Sequence, residues 1–244
     1  MDMIGEIPNS NQAKSIAIMQ PYFFPYLGYF QLIKAVDVFV IYDDVNYINK
    51  GYINRNSILL SGQSHKITLA LLGASQNKLI NEIKISNNAK KILKKIEMAY
   101  KKAPQFNEIF SMLKNILLHE ETNLSKFIGY SLQVISNYLE LNTKLLFSSE
   151  QEKDNALRAQ AKILDICKRM EISTYINAIG GRELYDKATF KKQNLDLYFI
   201  KTRPQQYKQF SNEFVPNLSI IDVLMFNQKE LVIKMLDQYE LIRE

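Results

Sequence analysis

SIAIMQPYFFPYLGYF (residues 15–30) and VFVIYDDVNY (residues 38–47) are the two stretches of sequence that decide the fold. Apolar runs end at Met19 and at Tyr42, and two prolines and a short helical segment lie between them. This pattern predicts two buried parallel strands, residues 15–19 and 38–42, joined by a compact right-handed crossover. The carboxyl ends of the two strands then lie side by side.

Polar side chains follow both strand ends. Ligands of open α/β sheets bind in the crevice outside the carboxyl ends of the strands. We therefore expect one pocket to be lined by Gln20, Tyr22, Asp43, Asp44 and Asn46. The alternative interpretation assigns the prolines and aromatic residues to a turn and the core, and the aspartates to a cap. Two adjacent aspartates are a weak motif, so the spacing alone leaves both interpretations open.

Asp43 and Asp44 are candidates for a general base. Proton transfer to a carboxylate at neutral pH requires a raised pKa, which burial or a like-charged neighbour supplies. The pair meets this condition if the two side chains converge. Successive strand residues point to opposite faces, although this constraint lapses past the end of the strand. Such a pair could also hold Mg²⁺ beside substrate phosphates, but no metal ligand is assigned.

The whole chain predicts an α/β protein with a mixed, largely parallel sheet flanked by helices and with a helix-rich middle region. A hairpin is expected over residues 52–60 and 65–72, followed by helices over 87–102, 104–118 and 124–141. Strands are expected over 144–148, 174–176 and 195–200, and helices over 153–170, 218–226 and 229–239. We expect a flexible N-terminal segment, residues 1–14, and a single domain, residues 15–244, with a helical subdomain over about residues 86–142.

Charge favours anionic partners. The net charge is +6, which suits nucleotide diphosphates, nucleic acids or membrane surfaces. Lysines between residues 84 and 102 lie on one predicted helix whose apolar residues recur at helical spacing, which indicates a solvated helix face. The aromatic residues typical of single-strand binders are missing there, so no nucleic-acid partner is expected. No apolar run approaches the roughly 20 residues that span a bilayer, and a cytoplasmic protein without a membrane span is expected.

Several cofactors are disfavoured by residue counts and motifs. Cys167 is the single cysteine and His65 and His119 are the two histidines, so neither zinc-ligand spacing nor an internal disulfide is available. No G-x-G-x-x-G motif follows a strand, which argues against NAD, and no G-x-S-x-G elbow occurs. The sequence leaves the oligomeric state open.

A glycine pair forms a second candidate cluster. Gly180 and Gly181 follow an apolar strand and precede Arg182, Tyr185 and Asp186. Consecutive backbone N–H groups at such a turn could bind a phosphate or carboxylate, and Arg182 could add a charged fork. The alternative is a simple tight turn, because the spacing matches no phosphate-binding fingerprint.

Arg55 is a third candidate and lies between Asn54 and Asn56. Its guanidinium could recognise a carboxylate or phosphate of the substrate, or could pair with Asp43 or Asp44. The two roles are compatible, because a paired Arg55 could orient a carboxylate that works on the substrate.

The segment after the last predicted parallel strand supplies three more candidates. Arg203 would reach the carboxyl edge of the sheet, and Tyr207 and Gln209 could line the pocket. Asp222 is surrounded by apolar residues, which favours a buried structural acid.

Taken together, these stretches resemble the WbqC-like protein family. The resemblance begins with residues 19–30 and 38–47 and continues through KGYINRN (50–56), YINAIGGRELYD (175–186), YKQF (207–210) and FVPNLSIID (214–222). It covers nearly the whole chain after about residue 14 and adds Lys50 as a candidate for substrate binding. Many relatives carry His where this chain has Met19, so no catalytic His is transferred to that position.

The resemblance implies a role in making O-antigen or other surface polysaccharides. The expected function is a cytoplasmic transferase that modifies a nucleotide-linked sugar, by acyl or aminoacyl transfer to an amino sugar. Asp43, Asp44 and Arg55 are the expected catalytic residues, and the other candidates are expected to bind substrate. The alternative is a non-catalytic sugar-binding or assembly protein of the same pathway.

Overall fold

A six-stranded mixed sheet forms the centre of the protein. The structure, a computed structural model, describes residues 14–210 and 213–243, so the predicted flexible segment lies outside the described residues except for Lys14. The strands are β1 (Ser15–Met19), β2 (Val38–Ile41), β3 (Arg55–Leu60), β4 (Gln63–Thr68), β5 (Leu71–Leu72), β6 (Lys84–Ile85), β7 (Lys144–Phe147), β8 (Thr174–Ala178), β9 (Asp196–Thr202) and β10 (Tyr239–Arg243). The order in the main sheet is β10-β9-β8-β1-β2-β7, and β10 runs antiparallel to the other five strands.

Helices cover both faces of this sheet. They are α1 (Leu27–Lys34), α2 (Ala89–Tyr100), α3 (Phe106–Leu117), α4 (Leu124–Tyr138), α5 (Ala159–Arg169), α6 (Lys187–Lys192), α7 (Ile220–Phe226) and α8 (Lys229–Met235). Because side chains alternate along a strand, Ala17 of β1 joins a buried cluster with α1–α4, α7 and α8, whereas Ile16 and Ile18 pack with α5 and α6. The predicted α/β fold with a mixed, largely parallel sheet is confirmed. The helical subdomain stays a prediction.

The pairing register of the main sheet aligns the carboxyl ends of three neighbouring strands. Met19 pairs with Ile41, and Ile41 pairs with Phe147, so β1, β2 and β7 end together. The chain runs outward from β1 to β2 and β7, then crosses through α5 to β8 and β9 on the other side of β1. Strand order therefore reverses between β1 and β8, whereas the cavity described below lies one strand further along the same carboxyl edge, at the ends of β2 and β7.

The predicted hairpin forms with shorter strands. β3 and β4 pair antiparallel, and Ser61 and Gly62 between them have φ angles of 52° and 76°. Two successive positive φ angles are typical of the two-residue turn whose twist matches a hairpin. Residues 71–72, which we assigned to the same hairpin, instead form β5 and pair with β6.

Two further boundaries differ from the sequence prediction. The helix predicted from residue 153 begins only at Ala159, because backbone groups of the preceding segment bond to side chains: Ala156 N donates to Asp154 Oδ1. Residue 239, predicted as the end of a helix, instead begins β10 at the edge of the sheet. The pairing partner of β10 lies in β9, far away in sequence, so local helix propensity gives no sign of it.

Candidate functional site

A cavity of about 470 Å³ opens at the carboxyl ends of β2 and β7, next to the start of α5. We call it the cationic pocket, and it is lined by Tyr42, Asp44, Val45, Asn46, Leu79, Ser149, Gln151, Lys153, Asn155, Arg158, Ala159 and Lys162. Its volume lies in the range of small-molecule sites, about 300–1,000 Å³. Three cationic side chains and one carboxylate line it, so the lining carries a net positive charge.

Asp44 lies between two buried lysines. Its Oδ2 forms ion pairs with Lys153 Nζ at 3.0 Å and with Lys162 Nζ at 2.9 Å, and Lys162 donates a hydrogen bond to it. The three side chains are 10%, 3% and 6% exposed, respectively. Asp44 Oδ1 and Ser148 Oγ are also buried, and within the described chain neither meets the distance and angle of a full hydrogen bond, although the Ser148 hydroxyl is close enough to Asp44 to influence its pKa.

The electrostatics of this group keep Asp44 ionised. Burial by itself raises the pKa of Asp44, but the Ser148 hydroxyl and the ammonium groups of Lys162 and Lys153 outweigh burial and lower it. At neutral pH one carboxylate therefore balances one of the two lysines. The second positive charge is left for an anionic ligand.

The two lysines differ in what they can offer a ligand. Lys153 Nζ donates to the carbonyl oxygens of Ser148 and Gln151 in addition to its ion pair with Asp44, so three oxygens already surround its ammonium group. Lys162 Nζ bonds within the described chain only to Asp44, through Oδ2 and the carbonyl oxygen, and lies 5.4 Å from the ring centre of Tyr42. Lys162 therefore has the N–H group that can bind a ligand.

Arg158, directly before α5, adds a third cationic side chain to the pocket, and α5 itself adds a helix N-terminus. Arg158 is exposed and donates through Nη1 to the carbonyl oxygens of Asn155 and Leu157. No side chain caps the first N–H groups of α5. Ala159 has a φ of 46°, a left-handed conformation that is uncommon for residues other than glycine and is frequent at functional sites. The helix end and Arg158 both favour a bound anion.

Tyr42 adds a neutral hydrogen-bond donor. Burial, the Asp44 carboxylate and the neighbouring Tyr185 phenol raise the pKa of Tyr42 to about 12, while Arg158 acts in the opposite direction. The phenol therefore keeps its proton at neutral pH. It can donate to a ligand but does not act as a base.

Asp43 points to the other side of the sheet. It is 2% exposed, and its carboxylate accepts hydrogen bonds from Ser149 N at 2.9 Å, Ser149 Oγ at 2.7 Å and Ser125 Oγ at 3.3 Å. Asp43 thus ties the end of β2 to the end of β7 and to α4. The two aspartates do not converge, and the lowered pKa of Asp44 is the opposite of what the general-base prediction requires.

Arg55 and Asn54, two candidate residues at the start of the hairpin, bond mainly to backbone carbonyl oxygens of nearby residues. Arg55 donates to the carbonyl oxygens of Lys50 and Gly51 and forms no ion pair with either aspartate within the described chain, so of the two roles left open the pairing is not formed and the substrate role stays a prediction. Asn54 bonds to the Leu69 carbonyl and to the Tyr47 hydroxyl.

Asn56 fixes the proline turn. It is buried and donates to the carbonyl oxygens of Phe23 at 3.2 Å and Phe24 at 2.7 Å. Phe24 has a φ of 43°, so this bond and one from Ser219 Oγ at 2.7 Å hold a strained turn.

Of the residues predicted near the first two strands, Asn46 lines the cationic pocket together with Asp44. Gln20 and Tyr22 lie at the end of β1, outside the lining. The Gln20 carbonyl accepts a hydrogen bond from the Tyr29 hydroxyl at 2.8 Å, and the Tyr22 ring packs against the rings of Tyr29 and Tyr52.

The glycine pair lies in a 3₁₀ helix, Ile179–Leu184, directly after β8. A Cβ atom at Gly180 would meet nothing within 4 Å, and neither glycine has a positive φ, so the backbone does not require glycine at position 180. Asp186 caps α6 by accepting from Thr189 N at 2.8 Å, and the Thr189 hydrogen bonds lower the pKa of Asp186. Arg182 is exposed and lies outside the lining of the cationic pocket.

The last three candidates lie away from the cationic pocket. Arg203 Nε pairs with Glu240 Oε1 at 3.2 Å on the surface. Tyr207 Oη and Gln209 Nε2 donate to Asp222 Oδ2 at 2.6 and 2.7 Å. Tyr207 also lines a separate cavity of about 390 Å³ near the end of β9. The predicted convergence on one cavity therefore does not extend to this segment.

Asp222 is the buried structural acid that its neighbours suggested. It is fully buried, and Tyr100 Oη donates to its Oδ1 at 2.7 Å. Burial raises the pKa of Asp222, although the hydrogen bonds from Tyr207, Tyr100 and Gln209 act in the opposite direction.

Sequence reasoning missed three important residues of the cationic pocket, Lys153, Arg158 and Lys162. A signal for one of them existed. Lys162 lies four residues before Ile166 and next to Ile163, so it falls within the apolar face of α5, where a lysine needs a buried partner. The predicted helix over 153–170 hid the other two, because it placed them on a regular helical surface.

No group of three His, Cys, Asp or Glu side chains in residues 14–210 and 213–243 is placed to hold a metal ion. The Mg²⁺ site beside substrate phosphates stays a prediction. Within the same residues, no helix is both long and apolar enough to cross a membrane.

Comparison with known proteins identifies the family. The sequence profile of the WbqC-like protein family matches residues 20–233. The chain belongs to the WbqC-like family. Every residue that lines the cationic pocket falls within the matched range, whereas β1 and β10 lie outside it.

One relative extends this result. The WbqC-like chain is 32% identical over 219 residues to the uncharacterized protein Rv1507c of Mycobacterium tuberculosis (strain ATCC 25618 / H37Rv), and the alignment covers 88% of this chain and 94% of the relative. No solved structure matches the chain. The family is therefore shown by sequence, and the function has to be argued from the pocket.

Proposed function

We propose that this WbqC-like protein is a transferase of surface-polysaccharide biosynthesis that binds a nucleotide-linked sugar through its diphosphate in the cationic pocket. The observation that carries the proposal is the charge of the lining. Lys153, Lys162 and Arg158 face a single carboxylate, Asp44, in a cavity of about 470 Å³. A diphosphate supplies the negative charge that this lining lacks.

The pocket offers the groups that bind phosphate oxygens. Arg158 can bind two oxygens at once through its planar guanidinium, and Lys162 adds a point charge. The uncapped first turn of α5 adds backbone N–H groups and the positive end of the helix dipole. Asp44 holds Lys153 and Lys162 in place by ion pairs, so the cations are ordered before the ligand arrives.

The surface-polysaccharide pathway, the cytoplasmic location and transfer of an acyl or aminoacyl group to an amino sugar belong to the proposal and are supported by the family resemblance. A specific observation favours the alternative, a non-catalytic binding or assembly protein. The Asp44 carboxylate has a lowered pKa, and Asp43 is bonded to Ser149 and Ser125, so neither is prepared as a base.

Calorimetric titration of the full chain with UDP-N-acetylglucosamine, inorganic pyrophosphate and free N-acetylglucosamine tests the binding step. We expect the first two to bind and the neutral sugar not to bind. Arg158→Gln should weaken both anionic ligands by about tenfold or more, because it removes charge-assisted hydrogen bonds. Lys94→Gln, on the exposed face of α2, is the matched control and should leave both affinities unchanged.

Turnover separates the enzyme from the alternative. An amino-sugar nucleotide is incubated with the protein and a panel of acyl donors, and the products are analysed by mass spectrometry. A mass increase equal to the acyl group supports the transferase. Binding without any such product across the panel supports the non-catalytic protein. Equal binding of Arg158→Gln and the unchanged chain overturns the assignment of the pocket.

A further inference from the structure

Three side chains beside the cationic pocket form a hydrogen-bond cluster. Asn177 Nδ2 donates to Tyr175 Oη at 3.2 Å and to Tyr185 Oη at 2.8 Å, and the two tyrosine oxygens lie 2.8 Å apart. Tyr175 and Asn177 are buried, whereas Tyr185 is partly exposed. Tyr185 is therefore the outer member of the cluster.

The donors and acceptors fix the direction of each proton. Asn177 Oδ1 accepts from Ala178 N at 2.7 Å, which sets the orientation of the amide and leaves both Nδ2 protons for the tyrosines. Tyr175 Oη accepts one of them, and within the described chain the Tyr185 oxygen is the acceptor that its own proton can reach. Tyr185 Oη then accepts two hydrogen bonds, and its proton points out of the cluster.

The pKa directions agree with this arrangement. Burial raises the pKa of Tyr185, while the hydrogen bonds from Tyr175 and Asn177 lower it, as expected for an oxygen that accepts from both. Burial raises the pKa of Tyr175, and the hydrogen bond to Tyr185 raises it further, as expected for the donor.

One hydrogen bond and one electrostatic interaction connect the Tyr185 segment with the cationic pocket. The backbone N–H of Asp186 donates to Gln160 Oε1 at 2.5 Å, and Gln160 follows Ala159 of the pocket lining. Tyr185 also contributes to the raised pKa of Tyr42, another lining residue. Tyr185 is not itself a lining residue, so a ligand reaches its hydroxyl by extending from the pocket towards the end of β8.

We propose that Tyr185 donates a hydrogen bond to a phosphate oxygen of the ligand held in the cationic pocket. The proposal rests on the proposed function, because Lys162 and Arg158 are the groups that bring an anionic oxygen to this place. The hydrogen bond from Asn177 occupies a lone pair of Tyr185 and leaves the Tyr185 proton for the ligand. A phenol that donates to an anion makes a stronger hydrogen bond than one that donates to a neutral oxygen.

Calorimetric titration of the full chain with inorganic pyrophosphate tests the proposal. Tyr185→Phe removes only the hydroxyl and should raise the Kd by about 10- to 100-fold, the effect of losing a hydrogen bond to a charged group. Tyr175→Phe makes the same chemical change in the same cluster and is the matched control. Its Kd should change by less than about threefold, because Asn177 still donates to Tyr185 and the outward proton is kept.

A double variant covers the case in which Tyr185→Phe is unstable. Tyr175→Phe/Tyr185→Phe leaves no unpaired Tyr175 proton, and it should bind pyrophosphate as weakly as Tyr185→Phe alone. Thermal unfolding shows which variants are folded at the temperature of the titration.

The outcomes separate this inference from the proposed function. If Tyr185→Phe binds pyrophosphate as the unchanged chain does while Arg158→Gln binds it weakly, the role of Tyr185 is overturned and the pocket stands. If Tyr175→Phe and Tyr185→Phe weaken binding equally, the cluster is structural and the inference is overturned. If the unchanged chain does not bind pyrophosphate, the proposed function fails, and the inference fails with it.

Discussion

Replacing Asp44 by Asn should strongly destabilise the protein. Asp44 is the carboxylate between Lys153 and Lys162, at 3.0 and 2.9 Å, and all three side chains are at least nine-tenths buried. The amide leaves two buried ammonium groups without a counter-charge. Removing one partner of a buried ion pair costs about 3–5 kcal/mol. For a chain of this size, that loss corresponds to a fall in Tm of roughly 6–20 °C.

The assay is urea unfolding at neutral pH, followed by circular dichroism, together with thermal unfolding of the same samples. Asp237→Asn is the matched control, because Asp237 pairs with Lys34 at 2.6 Å but is 58% exposed. An exposed pair is worth less than about 1 kcal/mol, so the control should be close to the unchanged chain. If Asp44→Asn costs no more than the control, the two lysines do not depend on Asp44 and the description of the pocket is wrong.

The pH dependence of the Asp44 effect has a definite sign. The folded pKa of Asp44 is lowered, so its contribution to stability is fully present above its unfolded value, about 3.9, and is lost as the pH falls through the folded pKa. The stability difference between the unchanged chain and Asp44→Asn should therefore shrink below about pH 4. A difference that is constant from neutral pH to well below that range would show that the carboxylate is not held in its charged form.

Three other substitutions test the surrounding structure by urea unfolding. Asn56→Ala removes the Asn56 donor from the carbonyl oxygens of Phe23 and Phe24, of which Phe24 keeps the hydrogen bond from Ser219, and should cost about 1–3 kcal/mol; a change near zero would contradict the role of Asn56 in the turn. Tyr100→Phe removes the acceptor of Leu59 N and a donor to Asp222, with an expected cost of about 1–3 kcal/mol, and an unchanged urea midpoint would contradict this. Gly129→Ala places a methyl group against the Phe147 ring and should cost about 1–3 kcal/mol; neutrality would show that the ring moves freely.

The sequence was sufficient for the fold wherever the pattern is local. The apolar runs before Met19 and Tyr42 gave β1 and β2, and the two prolines between them gave the compact crossover. Because the strands are parallel, their carboxyl ends lie at one edge of the sheet. Asp44 and Asn46 follow such an end, so the sequence alone could assign them to a pocket.

The rest depended on contacts that are distant in sequence. β10 forms because Tyr239 pairs with Thr202, and no local pattern reports that pairing. The sequence could not predict the orientation of the two aspartate side chains either. Asp43 points to Ser125 and Ser149, whereas Asp44 points to Lys153 and Lys162. Lys153 and Arg158 were hidden by a helix predicted too long, because side chains compete there for the backbone hydrogen bonds.

A crystal structure of the protein grown with saturating UDP-N-acetylglucosamine tests the central claim most directly. We expect diphosphate density in the cationic pocket, in contact with Lys162 and Arg158 and in front of the first turn of α5. Diphosphate density at another site, with the cationic pocket empty, would contradict the claim.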